Sequence, residues 1–301
     1  MAFNYFQEIW NAISDWNILY RIGLSIVLLI IIIALSFWQN TDLEKMFLWS
    51  FLRGFIQILL MGAILVAIFE INKIWLLYLV LLFMCIFAAF TIARRYPYPK
   101  IFWIELIAIT MSSLLIMTYI IFMRFPSFEG IIPEISGEYI VPMGSMVISN
   151  TMTITSIVIE RLQSDVIKNR GKILAALSLG ASSQKAITKT LQDSFRAGLI
   201  PTTNRMAVLG VVNIPGLMSG MIIGGVNPVQ AAVYQVIIFL MILSSAFIAS
   251  IIAAYLFMNQ FFTKNHQFNT IYFNKIEEHK AEKERKRENK GRRKKREKNG
   301  N

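Results

Sequence analysis

Apolar runs close to the roughly 20 residues that a helix needs to cross a bilayer recur at about 18–38, 47–69, 74–93, 101–123, 139–159, 206–226 and 229–257. The pattern predicts an all-α, polytopic membrane protein with about seven transmembrane helices. Ahead of the first run, Phe6, Ile9, Trp10, Ile13 and Trp16 repeat at helical spacing. That is the pattern of an amphipathic helix lying in the headgroup layer, with its tryptophans in the aromatic belt. Neither a basic n-region nor a small-residue cleavage site precedes the first run, so a cleaved signal peptide is not expected.

One connection is unlike the others. Residues 160–205 are too polar to span and too long for a simple link. They hold few Pro and Gly, and Ile173, Leu174, Leu177, Ile187 and Leu191 recur at roughly helical spacing. This predicts two or more helices broken near Gly180. A plainer reading is that the segment merely lengthens spans five and six.

Composition strengthens the membrane reading: 55% of residues are hydrophobic and the mean hydropathy is +0.55. The net charge of +12 is uneven, with 14 Lys/Arg against 6 Asp/Glu in residues 259–301 alone. No zinc-ligand spacing or aromatic-interleaved basic face accompanies that tail, which argues against nucleic acid. It reads instead as a largely disordered cytoplasmic extension drawn to anionic lipid. Domain organisation is therefore a membrane domain over 1–258, with 160–205 as its helical cytoplasmic region, and a tail over 259–301. Lys and Arg in the loops set orientation. Arg94, Arg95 and Lys100 mark one inner loop and the 160–205 segment carries eight basic residues, whereas 124–138 has one arginine and three glutamates. Only Lys45 lies between the first two spans, so that connection has no vote. The N-terminus is expected outside and the C-terminus in the cytoplasm, in a multi-pass plasma-membrane protein. Cys85 is the single cysteine and lies in an apolar run, so no intrachain disulfide can form.

Polar groups inside the spans are the candidate chemistry. Arg53 lies roughly 9 Å into span two at 1.5 Å per residue. There it can snorkel to the headgroups, pair with Glu105 or gate a pathway, and Gln57 follows one turn along the same face. Span five carries Ser145, Ser149, Met152, Thr153 and Ser156 at helical spacing, with Met146 and Asn150 beside them. Such a stripe either joins helices by hydrogen bonds or lines a pathway. In span six Pro215 precedes the spacing Gly216, Gly220, Gly224. Expected there are a helix break that frees the Val211 carbonyl and either close packing or a gate. Of the 15 methionines, Met143, Met146, Met152, Met218 and Met221 fall on spans five and six. Thioethers suit Cu(I) better than Fe(II), no histidine lies in any span, and metal ligands stay unassigned. Lacking a His, Asp or Cys pairing at membrane depth, an intramembrane enzyme is disfavoured.

Ala175, Ala176 and Gly180, followed by Ala181, fit part of the loop with which ABC importer permeases dock on their ATPase. The acidic first residue of that loop is replaced by Leu174, and Ile200–Pro201 comes about eight residues late. Across about residues 40–258 the chain resembles the FetB/YbbM-type iron-export ABC transporter permeases. The matching stretches are RGFIQILLMG (53–62), VPMGSMVISNTM (141–152), LSLGAS (177–182), QDSFRAGLIPT (192–202) and IPGLMSGMIIGGVNPVQAAVYQ (214–235). This resemblance implies a permease subunit that exports iron or another metal, with Ala175, Ala176, Gly180 and Ala181 coupling it to a separate ATP-binding subunit. Arg53, Gln57, Ser149, Asn150, Thr153, Pro215, Gly216, Gly220 and Gly224 are the pathway or gate candidates. No Gly-x-x-x-x-Gly-Lys-Ser/Thr loop occurs in the chain, so no cofactor is expected in it, and Mg-ATP would sit on the partner. A homodimer follows from the need for two docking surfaces. Plant relatives in the family suggest a sugar nucleotide or other small organic solute as an alternative cargo. A non-transporting membrane anchor or receptor is the rival from another class.

Overall fold

A computed structural model of the protein describes residues 16–263 except 40, 42, 72, 97–99 and 124–136, together with 267, 269 and 285. The expected headgroup helix and most of the basic tail lie outside these residues. Among the described residues the elements are all helical, without a strand, as the apolar periodicity predicts. The chain divides into two units, 1–73 and 74–301.

The first unit is a helical hairpin, α1 (Trp16–Trp38) and α2 (Glu44–Ile71). Its turn is tied by side chains. Ser36 Oγ lies 2.6 Å from Thr41 Oγ1 and donates to Glu44 Oε1 at 3.0 Å, while the Thr41 amide donates to the Ser36 carbonyl. The polar connection that carries no topological vote is thus a built turn.

The second unit contains α3 (Ile74–Arg95), α4 (Ile101–Phe122), α5 (Gly137–Lys168), α6 (Arg170–Ser178), α7 (Ser183–Ala207), α8 (Gly216–Ile223) and α9 (Pro228–Met258). Helices α3, α4, α5 and α9 pack on one another around Leu77, Leu81, Ile109, Met117, Ile154 and Ile238. Small residues set the spacing: a Cβ on Gly144 of α5 would collide with Leu81 of α3. Arg94, Arg95 and Lys100 gather at one end of this bundle. There the Tyr96 hydroxyl donates to Glu160 Oε2 at 2.6 Å, which marks the level at which α5 leaves the apolar layer.

Six helices among the described residues are long and apolar enough to cross a membrane, one fewer than the seven runs suggest. The difference lies in 206–226. Instead of one helix this stretch holds the end of α7, an irregular segment from Val208 to Pro215, and the short α8. Gly210 adopts φ +79°, and its amide bonds the Asn213 carbonyl at 3.0 Å. This closes a tight loop instead of a helical turn. Pro215 caps the start of α8 with an extended backbone. The expectation that it kinks a long helix and frees Val211 is therefore corrected: no helix runs through Val211.

The chain nevertheless runs back between α5 and α9. Tyr139 at the start of α5 lies within electrostatic reach of Tyr234 at the start of α9, and twelve or so residues on, Thr151 and Ser245 are 3.0 Å apart. The two helices are therefore parallel, so the chain between them must travel back. Helix α7 covers most of that distance, laid along α5 through Ile187, Leu191, Ser194, Gly198 and Thr202, all buried. A Cβ on Gly198 would collide with Val158 and approach the Ile154 carbonyl.

Candidate functional site

The turn between α6 and α7 follows from its local sequence. Gly180 has φ +85°, a left-handed conformation that a residue with a Cβ adopts at a cost. Its amide bonds the Leu177 carbonyl at 3.0 Å, and the Ala181 amide reaches back to Ala176 at 3.1 Å. These two bonds are the Schellman pattern that closes a helix C-terminus. Ala175 accepts the Leu179 amide at 3.1 Å. The four residues expected to couple to an ATPase thus form one turn. Its tip is Leu179, 89% exposed, an apolar side chain that a partner surface could cover.

From this turn α7 runs 25 residues, with Pro201 inside it, about 37 Å at 1.5 Å per residue. It begins at the turn beyond the bundle end and finishes at the irregular 208–215 segment beside the apolar bundle. Helix α5 likewise projects past the bundle: its 32 residues make about 48 Å, against a hydrocarbon core of about 30 Å. The plain reading, that 160–205 merely lengthens spans five and six, therefore holds for α5; α7 ends at Ala207 and no continuous span six follows it. That reading coexists with a true turn at Gly180.

On α5 the structure separates two polar faces. Ser149 and Thr153 are exposed and Asn150 is half-buried. Thr153 Oγ1 donates to the Ser149 carbonyl at 2.9 Å, and Asn150 Nδ2 and Ser149 Oγ donate to that of Met146. Among the described residues these side chains bond only carbonyls of their own helix. The opposite face was missed by sequence reasoning. Thr155 Oγ1 donates to Glu105 Oε2 of α4 at 2.8 Å, and Thr151 Oγ1 meets Ser245 Oγ of α9 at 3.0 Å. Ser245 Oγ also lies 3.3 Å from that of Ser113 on α4. Glu105 is wholly buried, and among the described residues its Oε1 has no hydrogen-bond partner. The signal available was Thr151 and Thr155 at i, i+4, on the same side as the apolar Ile154 and Val158.

Pro215, Gly216, Gly220 and Gly224 come together on or beside α8. Gly216 and Gly220 have open space where a Cβ would point, so among the described residues of this unit no helix packs closely on those two positions. Arg53 and Gln57 are exposed on α2 of the first unit.

The model of Uncharacterised protein family UPF0014 matches residues 19–262, which include every helix from α2 to α9. The chain belongs to the UPF0014 family. It is 34% identical over 247 residues to the Escherichia coli protein named probable iron export permease protein FetB, covering 82% of this chain and 93% of that one. It is 30% identical to the rice UPF0014 membrane protein STAR2, with 80% and 82% covered. Protein ALUMINUM SENSITIVE 3 of Arabidopsis thaliana is 27% identical, with 86% and 94% covered. No solved structure matches. The UPF0014 chain is thus a polytopic membrane permease, and both the Gly180 turn and the broken segment fall within the family's length. Among the described residues no group of three His, Cys, Asp or Glu could hold a metal ion in this UPF0014 chain.

Proposed function

We propose that the chain is the membrane-spanning subunit of an ABC transporter, acting as a homodimer with two copies of a separate ATP-binding subunit. The observation that carries this reading is α7, one helix that joins the exposed Gly180 turn at one end to the irregular 208–215 backbone at the other. A push on Leu179 and Gly180 moves the break, because a helix transmits axial displacement without bending at each residue. The basic end is then cytoplasmic, with the N-terminus outside and the C-terminus inside.

The exposed polar face of α5 and the uncovered glycines of α8 support a pathway at the two-fold interface. Lipid satisfies neither polar side chains nor the irregular backbone after Ala207, whereas a second copy or water does. Ser149, Asn150, Thr153, Pro215, Gly216, Gly220 and Gly224 would line or gate that route.

The name of the Escherichia coli relative supports iron as the cargo, moved outward from the cytosol. The test is cellular iron after a pulse of ferrous salt in deleted and complemented strains. Faster loss in the complemented strain is expected, and Asn150→Leu should abolish the difference while leaving expression intact. Equal retention in both strains would remove iron and leave the permease assignment standing.

A further inference from the structure

Arg205 sits in the last turn of α7, and its depth can be placed by ladder. Gly198 packs against Ile154 and Val158, and the Tyr96–Glu160 bond marks the basic end of the apolar layer. At 1.5 Å per residue Gly198 lies about 6 Å inside that level and Arg205 about 16 Å inside, near the middle of a core about 30 Å thick. An arginine stem reaches roughly half that distance, so snorkelling to the surface does not free it.

The side chain is exposed, and among the described residues it makes no ion pair, unlike Arg161, which pairs with Asp165, and Lys189, which pairs with Asp193. Thr203 and Asn204 beside it are exposed too. A second observation points the same way. The backbone directly after α7 is irregular, and Val211 within it is 90% exposed. Non-helical backbone at membrane depth persists only where protein covers it or water wets it. An unpaired mid-bilayer arginine obeys the same condition and marks a functional route.

We propose that Arg205 is a fixed positive charge in the transport route that selects an anionic cargo. This rests on the permease reading above. A guanidinium in a low-dielectric passage repels a bare divalent cation and binds carboxylate or phosphate oxygens, often through two parallel hydrogen bonds. A metal ion therefore passes as a complex of net negative charge, and an organic anion passes by the same contact. The lack of any three-ligand metal cluster among the described residues agrees with this. Two copies facing one another would present two such charges to one cargo.

The first test reads the charge directly. Cysteine is placed at Asn204 in a Cys85→Ser background of the full chain, and its reaction with a sulfonate-bearing and an ammonium-bearing thiol reagent is timed. The sulfonate should react faster, and Arg205→Gln should lower the ratio of the two rates by roughly tenfold, as loss of one nearby charge implies. Arg205→Lys should keep most of the preference. A thiol unreactive to both reagents, or a ratio that Arg205→Gln leaves unchanged, overturns the proposal.

The second test uses purified full-length protein and asks which anion binds, with ferric citrate, uridine diphosphate and ferrous ion alone as probes. Saturable binding of ferric citrate or of uridine diphosphate, weakened by Arg205→Gln, supports the proposal and separates a metal complex from an organic phosphate. Binding of neither, or of ferrous ion alone unaffected by Arg205→Gln, overturns it. Stimulation of the partner ATPase is measured in parallel. Its presence with an unchanged reagent ratio defeats the anion inference alone, whereas its absence in wild-type protein defeats the permease reading.

Discussion

Helix α5 and the 206–226 stretch make an instructive pair. Both look like spans, and the second has the fewer polar side chains, yet α5 continues for 32 residues while 206–226 breaks after Ala207. Side-chain polarity did not decide the matter. Thr, Ser and Asn on α5 donate to carbonyls of their own helix without ending it, and Pro142, inside the helix, removes only the amide that would bond the Glu138 carbonyl. In 206–226 the obstacle is in the backbone. Gly210, Asn213 and Pro215 come within six positions and offer turn bonds that compete with the helix.

The largest effect expected on this pair comes from the turn that drives the broken end. Gly180→Val puts a β-branched residue at φ +85° and should cost roughly 1–2 kcal/mol locally. Transport and ATPase stimulation should drop to background while membrane insertion is unchanged. Normal stimulation of the ATPase by the variant would end the coupling assignment.

Next is the joint between the two regions. Gly198→Leu would force Val158 away from α7, and overpacking of this kind costs about 1–3 kcal/mol. A lower melting temperature in detergent is expected, with Gly198→Ala intermediate. If Gly198→Leu melts like the wild type, α7 does not lie against α5 as described.

The two faces of α5 should then respond in opposite ways. Thr151→Val removes a buried hydrogen bond to Ser245 and should cost about 0.5–1.5 kcal/mol of stability with little change in transport. Asn150→Leu should spare stability and impair transport. Interchanged outcomes would move the pathway into the bundle, toward Glu105.

The smallest change is a labelling experiment that perturbs nothing in the bundle. A tag at residue 12 should react from outside, and one at residue 270 only after permeabilisation. A C-terminus labelled from outside would mean that α7, the break and α8 together do not make the return crossing.

Much of this was legible beforehand. The apolar runs located α1 to α4, α9 and the start of α5 to within a few residues, because the bilayer demands helices of fixed length; α5 continues past the end of its apolar run, to Lys168. Gly180 was legible as a turn because few residues tolerate its conformation, and Ala175, Ala176 and Ala181 fell with it. Arg205 counted only as one of eight basic residues in a polar segment, and nothing in its neighbourhood told of its depth. The face of α5 bearing Thr151 and Thr155 was passed over because threonine beside isoleucine carries no sign of which helix it meets.

By itself the sequence determined what depends on solvent and on local backbone: a helical membrane protein, its spans, its basic end and its Gly180 turn. The first three follow from transfer of a residue or a short segment between water and lipid, and the turn from glycine's freedom at positive φ; none needs knowledge of neighbours. Tertiary structure alone decided that α5 and α9 run parallel, that α7 folds back along α5 through Gly198, and that Arg205 falls in the last turn of that returning helix. Those facts depend on which helix faces which, and that is set by shape complementarity between residues far apart in the chain.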